Sequence, residues 1–229
     1  GSWKPQATAV AAWSLRWLGQ ERAMVAAMIP RATILALLLA STAAHAQDAG
    51  RLVVAARAQV GVTTGYDPAY VRMAYPGGDV TQRTGVCADV IVRAFRADGI
   101  DLQRLVHEDM AAHFSRYPSL WRLRGPDANI DHRRVPNLET FFRRQGAALA
   151  ITARASDYHA GDVVSWRLPN GLAHVGIVSD HLAGDGSGRP LVIHNIGAGA
   201  QEEDVLFSWT IVGHFRWPWP APARAVVRR

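Results

Sequence analysis

Lysine is nearly absent from this chain: the only one is Lys4, and every other permanently cationic side chain is an arginine. A P-loop, a Schiff-base mechanism and a Ser–Lys dyad each need an amine, so the remainder of the chain can support none of them. Cysteine is equally scarce. Cys87 stands alone, and a lone cysteine cannot close an internal disulfide. Neither a Gly-x-Ser-x-Gly elbow nor a Gly-x-Gly-x-x-Gly loop occurs, which removes the common serine-hydrolase and dinucleotide-binding signatures.

Long apolar runs are missing too. The most apolar stretch, Ala32 to Leu39, follows Arg31 and precedes the small-x-small triplet Ala44-His45-Ala46. It falls short of the roughly 20 residues a membrane span needs, and reads as a cleaved secretory signal over residues 28–46. Residues 1–46 are therefore set apart from the fold, and the expected location is periplasmic or secreted, with no membrane anchor after cleavage. Beyond residue 46 the chain has 21 basic and 18 acidic residues. That balance is too mild for a nucleic-acid partner, although it favours encounter with an anionic polymer.

The part beyond the signal suits one domain, expected over residues 47–217, with a Pro- and Arg-rich tail over 218–229. Its first half has helical periodicity. One amphipathic segment runs from Ala49 to Val60 and ends at Gly61. Another starts at Cys87 and presents Val90, Ile91, Ala94 and Phe95 on one face until Gly99. Asp101 is placed to cap a third, stopped near Pro118, and Asn137 a shorter fourth that ends at Gly146. The second half is β-branched and punctuated by Gly, Pro and Asp. It predicts strands over Asp162–Leu168, His174–Asp180, Leu191–Asn195 and Thr210–Trp217. The expected class is α+β, helices packed on an antiparallel sheet.

A thiol at a helix start feels unpaired backbone N–H groups and the positive end of the macrodipole, both of which favour a thiolate. Cys87 is thus the candidate nucleophile, His174 the candidate base and His194 the group that steadies it. Asn195 competes with His194, but neighbouring strand residues face opposite ways, so only one can aim at the site.

The order Tyr75, Gly77-Gly78, Gly85-Val86-Cys87, then Ala160-Gly161-Asp162-Val163-Val164, His174-Val175-Gly176-Ile177 and Val192-Ile193-His194 resembles the NlpC/P60 cell-wall peptidases of the papain-like superfamily. Nearly all of the chain beyond the signal is also similar to an exported bacterial family, domain of unknown function 1287. Asp101-Leu102-Gln103, Val106 to Met110, Asn129 to Leu138 and His194 to Gly197 carry that second resemblance. The first implies a papain-like fold and a Cys–His–His triad, Cys87, His174 and His194, that hydrolyses amide bonds in peptidoglycan stem peptides without cofactor or metal. Where NlpC/P60 proteins usually have Cys-Ser-Gly this chain has Cys87-Ala88-Asp89, and an anion beside a thiol opposes its ionisation.

Tyr75 is a candidate for lining the oxyanion site. The polar run Asn129 to Arg134 reads as a solvated loop or, through Asp131, His132 and Arg133, as a substrate-binding insertion suited to carboxylates. His214 reads as a strand histidine, and His159 and His181 as surface residues. Two other functions are compatible with the composition. One is a zinc-dependent amidase assembled from His107, His132, His174 or His194; the other is a non-catalytic wall-binding module on a papain-like scaffold.

Overall fold

The computed structural model describes residues 48–218. The expected signal over 28–46, the stretch before it and the tail beyond Pro218 lie outside the described residues. Among the described residues no helix is long and apolar enough to cross a membrane.

Helix α1, over residues 48–57, unwinds through turns to Gly61, whose φ of 79° suits a residue without a Cβ. Two short strands, β1 (Gly65–Tyr66) and β2 (Thr84–Gly85), pair in parallel, and β2 leads into α2 (Cys87–Ala97). Eight of the eleven residues of α2 are buried, so it is the central helix and not an amphipathic surface one. It stops where Gly99, at φ 80°, turns the chain: the N–H groups of Gly99 and Ile100 return to the carbonyls of Arg96 and Phe95, both at 2.9 Å. Helix α3 (Leu102–His113) begins as expected, Asp101 Oδ1 accepting the Gln103 N–H at 3.1 Å.

Helix α4 spans Val135–Arg144, with Arg134 at its N-cap and Pro136 in the first turn. Asn137 is therefore inside the helix and does not cap it. Its amide donates to the Asp131 carbonyl at 3.1 Å, and the missing Pro136 N–H is one a first turn leaves unbonded in any case.

Five antiparallel strands form the main sheet in the order β6-β5-β4-β3-β7, with β3 at Val163–Arg167, β4 at Ala173–Leu182, β5 at Pro190–Asn195, β6 at Ala200–Glu203 and β7 at Thr210–Phe215. Alternation divides it cleanly. Val163, Val175, Ile177 and Ile193 join the core built on α2, whereas Val164, Trp166, Val178 and Val192 pack with Tyr158 and Leu206 on the opposite face. The α+β architecture expected from the sequence is present. Strand β6 is an addition to it, hidden because Gln201-Glu202-Glu203 has too little apolar character to signal a strand.

One buried ion pair fastens the helical layer. Arg133 donates to Asp89 through Nε and Nη2, both at 2.9 Å, and to the carbonyls of Ala69 and Asp67 at 2.9 and 3.1 Å. Removing one partner of such a pair strands the other charge. We expect Arg133→Leu to lower stability by about 3–5 kcal/mol in urea unfolding, and Asp89→Ala added to it to recover part of that loss.

Candidate active site

Cys87 is the first residue of α2, held there by Asp89. The Val86 N–H donates to Asp89 Oδ2 at 2.7 Å, the reciprocal half of a capping box in which valine has no acceptor of its own to offer. The thiol is buried and reaches the sheet at Val175, the residue after His174. Burial, with the Asp89 carboxylate adding to it, pushes the thiol up to about 12 against the opposing pull of the N–H groups of Val175, Ala88 and Cys87 itself. The helix-terminal position therefore does not yield a resting thiolate: desolvation outweighs the backbone donors.

His174 and His194 meet as expected. His174 Nε2 and His194 Nδ1 are 2.8 Å apart, and His194 Nε2 lies 2.9 Å from Glu203 Oε2 on β6. The register explains the approach, because His194 stands opposite Gly176, where an added Cβ would lie 2.5 Å from Val192 Cγ1 and 3.2 Å from His194 Cβ. Trp166 stacks on His174 at 5.6 Å, and Trp209 stands edge-on to His174 and His194 at 5.5 and 6.1 Å. Burial, and then the neighbouring imidazole, lower His174 to about 3. Burial lowers His194 too, against the Glu203 carboxylate. Both rings are uncharged at neutral pH.

The complete triad expected from the sequence is not hydrogen-bonded. No hydrogen bond joins the Cys87 thiol to either imidazole among the described residues, because alternation turns Val175 toward α2 and His174 toward Trp166. The sulfur instead meets the sheet at the Val175 N–H, one peptide from the ring. Asn195, the competitor for the third position, faces the α2 side, donating to the carbonyls of Gly65 and Gly85 at 3.1 and 3.0 Å. It secures β1 and β2 under the start of α2.

The low-lying candidates need correction. Tyr75 stands away from the thiol, half-exposed and edge-on to His107 at 5.1 Å. The tyrosine beside Cys87 is Tyr66, which β1 sets opposite Gly85. Asp131, His132 and Arg133 form a short 3-10 turn that is buried and not a solvated loop. Asp131 Oδ2 accepts the Asp127 N–H at 2.6 Å and lies 3.2 Å from His107 Nδ1. His132 is buried and lowered to about 4 by that burial. Of the three only Arg133 borders the cleft, and its fork is taken by Asp89.

The four histidines of the zinc alternative do not converge. Facing nitrogens of His174 and His194 bond each other, and His107 bonds Asp131. Among the described residues the side chains spaced for a metal are Asp180, His181 and Glu202, and Arg57 already pairs with both carboxylates. His214 is a buried strand histidine, 2.7 Å from Asp162.

A cleft of about 570 Å³ is lined by Cys87 with Tyr66, Val86 and Ala173, and by Arg133, Arg134, Arg143 and Arg167 together with Glu139. Arg167 is held by Glu139 at 2.7 and 2.9 Å, and Arg134 lies over the Trp121 ring at 4.2 Å. The thiol at the start of α2 thus lines this cleft, while the hydrogen-bonded histidine pair lies on the other face of the sheet, in a fold of mixed helix and antiparallel sheet.

Residues 53–217 match the family described as "Domain of unknown function (DUF1287)", and the chain belongs to that family. It is 64% identical over 162 residues to a protein titled "Uncharacterized protein YijF" from Escherichia coli (strain K12), a match covering 71% of this chain and 78% of the relative. A solved structure titled "Structure of NlpC1 from Trichomonas vaginalis" is similar at 14% identity and a TM-score of 0.40, over 74% of this chain and 44% of that one.

Two outcomes follow from this geometry. Unfolded histidines bind a proton near pH 6.5, whereas His132 and His174 refuse it until about pH 4 and 3. Their contribution to stability is complete above pH 6.5 and is lost as pH falls through that window, by up to about 1.4 kcal/mol per pH unit for each. Urea unfolding at pH 7.5 and pH 5 measures it, and His132→Gln should flatten the dependence. Separately, Gly176→Val should break the His174–His194 contact, read as new imidazole chemical shifts in a protein that still folds.

Proposed function

We propose that this protein is an exported cysteine hydrolase that cleaves amide bonds in peptidoglycan stem peptides. The observation that carries the reading is the hydrogen-bonded series Glu203–His194–His174, which ends one peptide from the place where the Cys87 thiol meets β4. His174 Nδ1 makes no hydrogen bond among the described residues; the reading requires this nitrogen to turn toward the thiol, because alternation aims the ring at Trp166 on the face away from α2.

With thiol and imidazole both neutral at rest, the proton leaves as the sulfur attacks. His174 acts as general base and no ion pair is stored beforehand. The Cys87 sulfur adds to the amide carbonyl while His174 takes its proton. The imidazolium then returns that proton to the departing amine, leaving a thioester that water hydrolyses by the same base. Trp209 shields the histidine contact from water, which strengthens it electrostatically. The cationic walls suit stem peptides, whose free carboxylates are the complementary charge.

Purified sacculi or muropeptides incubated with the wild type should release a defined peptide fragment detectable by mass spectrometry. Cys87→Ala should release none, and His174→Ala should reduce the rate at least about a hundredfold. Identical fragment profiles from wild type and Cys87→Ala would refute a thiol enzyme.

A further inference from the structure

Glu203 was not among the residues expected to act, and nothing in the family description assigns it a role. Strand alternation separates it from its neighbour. Glu202 turns to Arg57, 3.0 Å away, while Glu203 reaches the opposite face and His194. Its carboxylate is partly exposed, and the imidazole it touches is completely buried. It is by far the most exposed member of the series.

An ionised carboxylate has only acceptors. At 2.9 Å from Glu203, His194 Nε2 must therefore carry the hydrogen. A neutral imidazole holds one hydrogen, so Nδ1 of His194 is bare and accepts. His174 Nε2, 2.8 Å away, is then the donor, and a neutral His174 must keep its lone pair on Nδ1. Each assignment forces the next. Burial keeps both rings neutral, which is the condition the deduction needs.

We infer that Glu203 is a positioning residue that sets the tautomers of both histidines and so leaves His174 Nδ1 as a bare base. It rests on the thiol-hydrolase reading for its purpose, although the tautomers themselves do not. Without the carboxylate, His194 is free to carry its hydrogen on Nδ1. The series then reverses, and His174 presents an N–H where a lone pair is needed. A glutamine at 203 keeps an acceptor through its amide oxygen and preserves the order.

The test uses long-range proton–nitrogen spectra of protein labelled at histidine nitrogen, assigned with His174→Asn and His194→Asn. Alkylation of Cys87 by iodoacetamide is followed in parallel. In the wild type and Glu203→Gln, His174 should show a bare Nδ1 and a protonated Nε2. Glu203→Leu should show the reversed or a mixed pattern, with alkylation slowed about tenfold or more, and Glu203→Gln should alkylate within about threefold of wild type. A merely stabilising residue would leave the nitrogen pattern of the folded Leu variant unchanged. A protonated Nδ1 on His174 in the wild type, or an unchanged pattern in the Leu variant, overturns the inference while leaving a thiol enzyme possible. The expected tautomers together with a Cys87 inert in every form would uphold the assignment and overturn the hydrolase reading instead.

Discussion

The contact between Asp89 and Arg133 is the constraint on which the arrangement depends. One carboxylate receives the Val86 N–H, which fixes where α2 begins, and a bidentate fork from the turn before α4. The same guanidinium holds the carbonyls of Asp67 and Ala69, just past the strand that presents Tyr66. Helix start, cleft wall and the turn before α4 are thereby tied to one pair of charges. A desolvated pair of this kind adds little net stability compared with apolar residues of similar volume. What it gives here is placement of the sulfur, and the penalty is that Asp89 pushes that sulfur further from ionisation.

The sheet distributes labour between its faces. On the α2 side, Val175, Ile177, Ile193 and Asn195 make the bed for the helix and for the two short strands. On the other side, His174, His194 and Glu203 run across three adjacent strands under two tryptophans. A histidine pair so enclosed is unusual unless every ring nitrogen has a use, because an unpaired buried polar atom is expensive. Three of the four nitrogens are paired along the series, leaving Nδ1 of His174 without such a partner.

Much of this was legible in the residues. The order of helices and strands, the helix start at Cys87, the Asp101 cap and the meeting of His174 with His194 all followed from periodicity and punctuation. Strand β6 did not, since its residues are polar apart from Ala200, and the reason it pairs is the Gly197 to Gly199 turn that folds it back on β5. Losing β6 meant losing Glu203. The turn at Asp131 to Arg133 misled for a related reason: five polar side chains in six residues look solvated, yet the turn is buried, with Arg133 on Asp89 and Asp131 on the Asp127 N–H and His107, while His132 Nδ1 and Arg134 Nη1 find no hydrogen-bond partner. Tyr75 misled because the sequence offers a tyrosine before a glycine pair, while only the pairing of β1 with β2 reveals that Tyr66 is the one beside the cleft. Asn137 was credited with a cap that Pro136 moves to Arg134.

The protonated, enclosed state of Cys87 also bears on how long the molecule remains intact. The anionic form of sulfur attacks peroxides and small disulfides, whereas the neutral form scarcely reacts with them. A side chain only 4% exposed and held near pKa 12 offers such oxidants almost nothing to react with. The lone thiol of this chain can thus survive surroundings that would corrode a permanently ionised one, and it becomes vulnerable only during the brief interval when its proton has moved away.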